Sequence, residues 1–266
     1  MFQSWVRNLF RKTRPIVVRN RTRAGLGLEN LEGRDVPAFL APVPTTAGPN
    51  PAGIAVGDLN GDGRDDMAVV SNALAGAVAV LLSNGDGTFQ PGVSYATGAS
   101  PVDAASADLN GDGKRDLVVV GGDVSVLLGN GDGTFGAAAH YAAAPTAHSV
   151  KVGDFNNDGF RDVAVMNFGS ASLFLGNGDG TLQARTDAAV PGNNINLVIG
   201  DYDHDGNLDM AASNTTSVGT VSVLRGHGDG SFYGAVSYPA FSAPVYLAEG
   251  DFNEDGYYDF AVANSY

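Results

Sequence analysis

The side chains best able to do chemistry are carboxylates, and they recur on one template. The string Asp-x-Asn/Asp-x-Asp-Gly-x-x-Asp begins at Asp58, Asp108, Asp154, Asp201 and Asp251. Position 3 of the string is Asn60, Asn110, Asn156, Asp203 and Asn253, and position 5 is Asp62, Asp112, Asp158, Asp205 and Asp255. Position 9 is Asp66, Asp116, Asp162, Asp209 and Asp259. Of these twenty positions sixteen are Asp and four are Asn, so each offers a side-chain oxygen. That donor set suits a hard cation such as Ca²⁺, which takes about six to eight oxygens at roughly 2.3–2.6 Å in a flexible shell. Positions 1, 3 and 5 turn three oxygens inward from one tight loop. Position 6 is Gly63, Gly113, Gly159, Gly206 and Gly256, the residue that makes a sharp turn at least steric cost. Position 7 is Arg64, Lys114, Phe160, Asn207 and Tyr257. Such freedom fits a ligand that is a backbone carbonyl, and position 9 then closes the shell.

All twenty oxygen-bearing residues are therefore expected metal ligands, for up to five Ca²⁺. A single acidic turn would carry little weight, whereas five copies at one spacing do. An EF-hand would need Glu at position 12 and flanking helices; Val69, Val119, Val165, Ala212 and Val262 stand there instead. The fourth loop has Asp at all four ligand positions and is expected to bind most tightly, if charge count dominates over rigidity.

These loops need elements to hold them. The five copies are spaced by 50, 46, 47 and 50 residues. A second string, Asn/His-Gly-Asp-Gly, begins at Asn84, Asn130, Asn177 and His227 and alternates with the first. Asn-Gly and Asp-Gly supply the positive φ of tight turns, so the second string reads as a hairpin turn. Between the strings lie runs of four to six residues, such as Met67-Ala68-Val69-Val70 and Val124-Ser125-Val126-Leu127-Leu128. They are rich in β-branched residues and bounded by Gly, Asn and Asp, which favours strands over helices. A period near 48 residues with four short strands per unit is that of a β-propeller blade. Strand A precedes the carboxylate loop, strand B follows it, strand C leads into the Gly-rich turn, and strand D follows that turn. A large residue at position 2 (Leu59, Leu109, Phe155, Tyr202, Phe252) pins each loop to a core.

The stretch Val56-Gly57-Asp58-Leu59-Asn60-Gly61-Asp62-Gly63 through Val70, followed by Val80-Leu81-Leu82-Ser83-Asn84-Gly85-Asp86-Gly87-Thr88-Phe89, resembles the FG-GAP/VCBS repeat. The resemblance covers residues 39–266. It implies the β-propeller fold of integrin α subunits and many bacterial surface proteins, with calcium between strands A and B. It also implies a secreted or cell-surface location. The expected fold is all-β: four full four-stranded antiparallel blades plus part of a fifth. Residues 39–46 read as a lone strand D, because Phe39 lies 50 residues before Phe89. Two arrangements follow: a fragment of a larger propeller, or a five-bladed ring completed by the N-terminal strand.

Residues 1–38 differ in kind. Eight Lys and Arg stand against two Glu in residues 1–34, while the rest of the chain is strongly acidic. Leu28-Glu29-Asn30-Leu31-Glu32-Gly33-Arg34-Asp35-Val36-Pro37-Ala38 resembles a segment that opens many large bacterial surface proteins, which implies export; the alternative is a disordered basic tail.

Composition narrows the function. A net charge of −14 argues against a nucleic-acid partner, since phosphate binding needs a basic surface. With no Cys, disulfides, thiolate metal sites and a Cys nucleophile are excluded. No apolar run approaches the ~20 residues that span a bilayer. His140, His148, His204 and His227 are at no zinc-ligand spacing to a Glu, and no Gly-x-Ser-x-Gly elbow occurs. The chain is therefore expected to be a non-catalytic binding or adhesion module for an extracellular protein or carbohydrate. A scaffold, or the propeller part of a polysaccharide-active enzyme, is the alternative. Tyr95, Tyr141, Tyr233 and Tyr238 could stack on sugars, but their recurrence near strand D favours packing between blades.

Overall fold

The computed structural model describes residues 45–72, 76–216 and 218–265. All regular elements among them are strands. β1 (Pro51–Gly57), β2 (Asp66–Ser71), β3 (Ala77–Leu81) and β4 (Val93–Ala96) form the first antiparallel sheet in that order. β5 (Asp103–Ala107), β6 (Asp116–Val120), β7 (Val124–Leu127) and β8 (Ala139–Tyr141) form the second. β9 (Ala147–Gly153), β10 (Asp162–Asn167), β11 (Ser170–Phe174) and β12 (Thr186–Ala189) form the third. β13 (Asn194–Gly200), β14 (Asp209–Asn214), β15 (Thr220–Leu224) and β16 (Val236–Pro239) form the fourth. β17 (Pro244–Gly250) and β18 (Asp259–Asn264) pair as a two-stranded fifth sheet. These are blades of a β-propeller, with strands A to D where the repeat predicts them.

The first strands, β1, β5, β9, β13 and β17, follow one another as neighbours and form the innermost row. Each core lies between blades. Leu59 and Val70 of the first blade pack with Leu117, Val119 and Phe135 of the second. Leu109 and Val126 pack with Val163, Phe174 and Leu182 of the third, and Phe155 and Leu173 pack with Leu197, Met210 and Leu224 of the fourth. Because a blade packs on both faces, its middle strands do not alternate: every residue of β6 and β10 is buried. Continuous apolar runs are what two covered faces require.

The second string is the expected turn. In each copy the Asp caps its own hairpin: Asp86 Oδ1 accepts from Thr88 N at 2.9 Å and from Thr88 Oγ1 at 2.6 Å. Asp132, Asp179 and Asp229 do the same with Thr134, Thr181 and Ser231. Single bridges such as Gly129 to Phe135 close the turn behind them.

The series of blades is open, since β17 packs on β13 and β14 and the fifth sheet has two strands among the described residues. The closed five-bladed ring is thus not formed by the described residues. Residues 45–50 form no strand. Residues 39–44, the rest of the expected lone strand D, and the basic segment 1–38 lie outside the described residues.

Candidate metal centre

Each carboxylate loop joins strand A to strand B of one blade, and its backbone folds around its own acidic side chains. Asp58 at position 1 accepts Gly61 N (2.7 Å) and Asp62 N (3.1 Å) on Oδ1 and Gly63 N (2.8 Å) on Oδ2. Asp108 holds the same three groups of its loop. Asp154, Asp201 and Asp251 hold the position 5 and 6 N–H groups of theirs. The Gly63 N–H, assisted by those of Gly61 and Asp62, holds the Asp58 carboxyl below the usual aspartate range. At position 5, Oδ1 accepts the position 7 N–H in all five loops, for example Phe160 N to Asp158 at 2.8 Å and Tyr257 N to Asp255 at 2.9 Å. Asn60, Asn110 and Asn156 at position 3 accept from the position 5 N–H.

Position 9 does something the sequence did not reveal. Asp116 accepts Leu109 N on Oδ2 and Gly129 N on Oδ1, both at 2.8 Å, and its side chain is wholly buried. Asp66 joins Leu59 N to Ser83 N, Asp162 joins Phe155 N to Gly176 N, and Asp209 joins Tyr202 N to Gly226 N. One carboxylate thus staples the start of its loop to the end of strand C. Burial pushes the carboxyls of Asp116, Asp162 and Asp209 up, and the neighbouring loop carboxylates push in the same direction. Asp259 is the exception: it takes Phe252 N at 3.0 Å, and its other oxygen meets only Asn253 Nδ2 at 3.4 Å.

A second unforeseen feature is position 4. Asn157, His204 and Glu254 adopt φ of 57°, 61° and 61° there, as Gly61 and Gly111 do at 77° and 72°. Left-handed backbone is unfavourable for residues other than Gly, with Asn the most tolerant. The position carries no common residue type, so no pattern announced it.

The FG-GAP-like repeat family matches residues 58–119, 108–165, 154–212 and 201–262. The chain belongs to that family. No curated protein matches it. Among solved structures, a lectin from Agrocybe aegerita, described for its recognition of non-reducing terminal N-acetylglucosamine, has a TM-score of 0.52 at 23% identity, over 79% of this chain and 56% of that one. BBS1N, solved in complex with ARL6DN, has a TM-score of 0.50 at 12% identity, over 76% of this chain and 60% of that one. This chain spans little more than half of either, and at these identities the likeness is one of fold.

Among the described residues, three carboxylates converge in the fourth FG-GAP-like loop. Oxygens of Asp201, Asp203 and Asp209 lie within 4.8 Å of one another. Asp205 is not one of this trio, and its Oδ1 accepts Asn207 N at 2.8 Å. A hydrogen-bonded carboxylate oxygen keeps a second lone pair, so the position 1 and 9 oxygens retain capacity to ligate. An all-oxygen, multiply anionic donor set fits Ca²⁺ by its chemistry. In the other loops Asn replaces Asp at position 3, which lowers the charge but keeps the oxygen.

His204 stands at position 4 of the fourth loop; His140 and His148 lie outside the carboxylate loops. His148 stacks on Phe168 at 4.3 Å between ring centroids, and burial lowers its pKa. His140 Nδ1 lies 2.7 Å from Asp123 Oδ2 and 3.2 Å from Ser125 Oγ. A Ser-His-Asp hydrolytic arrangement presents its hydroxyl and carboxylate to opposite ring nitrogens; here both meet one, so this trio lacks that geometry. Two of the tyrosines pack between blades: Tyr95 lies edge-on to Phe135 at 5.5 Å, and Leu182 N donates to Tyr141 Oη at 3.1 Å.

Proposed function

We propose that this FG-GAP-like repeat chain is a calcium-binding, secreted or cell-surface propeller module that binds an extracellular protein or carbohydrate without catalysing a reaction. The observation that carries the reading is the convergence of Asp201, Asp203 and Asp209 in one of five loops built on a single hydrogen-bond plan. Calcium there would be held by Asp201, Asp203, Asp205 and Asp209, and in the other loops by Asp58, Asn60, Asp62 and Asp66 and their counterparts. Bound cations would offset the mutual repulsion of these carboxylates and stiffen the A–B loops that project from the blades. Propellers commonly present binding loops on a rigid scaffold, and the fold likeness to a lectin makes carbohydrate one candidate class. In sequence, the resemblance of Leu28–Ala38 to a segment that opens many large bacterial surface proteins supports export.

Calcium titration by calorimetry tests the metal. Saturable binding lost in Asp201→Asn/Asp203→Asn is expected; absence of heat at millimolar calcium would sink it. Glycan-array and pull-down binding with and without EDTA tests the module.

A further inference from the structure

Seven Lys and Arg side chains lie among the described residues of this acidic chain. Four have a carboxylate within 4.0 Å: Arg64 with Asp62, Lys114 with Asp112, Arg185 with Asp187 and Arg225 with Asp203. The other three, Arg115, Lys151 and Arg161, line one cavity of about 480 Å³ on the innermost strands of the first three blades. They reach it from different elements. Arg115 and Arg161 are position 8 of the second and third loops, where the other loops carry Asp65, Leu208 and Tyr258. Lys151 projects from β9.

Carboxylates exceed cations nearly two to one in this chain, so three adjacent cations without an acid partner need explaining. Two acids lie close, and both are occupied. Asp108, on the cavity wall, is turned into its own loop by the N–H groups of Gly111, Asp112 and Gly113. Asp103, near enough to Lys151 to feel its charge, accepts Ala104 N, Val150 N and Ser149 Oγ. Arg115 is steered by a weak bond from its Nη1 to Ser106 O at 3.4 Å. Gly57 keeps the wall open beside it, because a Cβ there would lie 2.9 Å from Ser106 Oγ and 3.9 Å from Arg115 Nε.

We propose that this cavity binds an acidic saccharide, with Arg115, Arg161 and Lys151 holding a carboxylate or sulfate group. Guanidinium groups match such planar or tetrahedral oxyanions through paired N–H donors. The volume is within the range of small-ligand sites. The walls are Ala, Ser and Val, giving room for a sugar ring and no deep apolar slot for a peptide side chain. The inference rests on reading the chain as a binding module, and not on calcium occupancy.

The test is calorimetry on the full chain with a galacturonate hexamer, a heparin-derived hexasaccharide and maltohexaose as neutral control. The expected result is binding of one or both acidic probes and none of maltohexaose. Preference for the first assigns a carboxylate, for the second a sulfate. R115A/R161A should weaken binding at least tenfold, and R115K/R161K should restore part of it. Because residues 1–34 are also basic, R19A/R21A/R23A serves as control and should bind as wild type. Binding lost in that variant and kept in R115A/R161A would overturn the proposal, as would silence with both acidic probes or tighter binding of hexaglutamate. If R115A/R161A retained wild-type affinity while EDTA-sensitive partner capture persisted, the cavity assignment would fail and the module reading would stand.

Discussion

The third and fifth loops share one hydrogen-bond plan but meet different fates at position 2. Phe155 is 2% exposed, packed edge-on against Phe232 of the next blade at 5.9 Å, and its carbonyl accepts Gly230 N at 3.1 Å. Phe252 is 61% exposed. Leu59 and Leu109 follow Phe155, packing with Phe135 and Leu182 of the blade ahead. The Asp251 and Asp255 bonds form in the fifth loop as elsewhere. So the loop is made locally, by its own side chains, whereas its anchoring to a core is made by the following blade. Tyr202 is intermediate: it meets Tyr258 and Phe260 edge-on and gives its hydroxyl to Glu249 Oε2 at 2.5 Å.

That contrast can be broken in order of size. Phe155→Ala should destabilise by about 3–5 kcal/mol through lost burial and a cavity, while Phe252→Ala should change urea stability by under about 0.5 kcal/mol. Equal effects would refute the division between local loop and borrowed core. Asp162→Ala strands two buried N–H groups and should cost about 2–4 kcal/mol; Asp259→Ala, which frees one exposed N–H, should cost a fraction of that in the same denaturation series. Calcium at ~1 mM with a Kd of ~10⁻⁴ M would add roughly 1.4 kcal/mol per site, so EDTA should lower the melting temperature. Asp203→Asn should reduce that calcium effect more than Asn253→Ser does. Gly113→Ala tests the backbone alone, since nothing lies within 4 Å of the added Cβ and φ is +81°; about 1–2 kcal/mol is expected, read from the thermal midpoint.

The smallest effect concerns acid. The Thr or Ser hydroxyl and N–H hold Asp86, Asp132, Asp179 and Asp229 below the ordinary value of 3.8. A pKa lowered by folding contributes stability above the unfolded value that is lost as pH falls through the folded one. In EDTA the wild type should therefore lose stability below about pH 4 relative to a variant with Asn at all four turns. Parallel pH profiles for the two would show that these bonds do not discriminate between protonation states.

Sequence alone located the blades because period, strand composition and Gly placement agree. Strands such as β6 and β10 fall where the β-branched runs are. The staple at position 9 was not legible: the partners of Asp66, Asp116, Asp162 and Asp209 at the end of strand C are 13 to 17 residues away, and a backbone N–H leaves no mark in the residue types. Nor was the cavity of Arg115, Lys151 and Arg161, because Lys151 stands at a different place in the repeat from the two arginines and the three share one cavity only in the folded chain. The spread of the fourth loop was half legible. Four Asp drew attention to it, but which three of them converge depends on backbone path.

The row of innermost strands has a mechanical consequence. Each blade leans only on its immediate neighbours, so rigidity is transmitted stepwise and not shared by the whole, as in linear repeat arrays. Among the described residues the β17–β18 pair has a neighbouring blade on one flank, and in this chain its amide protons should exchange first, with protection rising blade by blade toward the middle of the array.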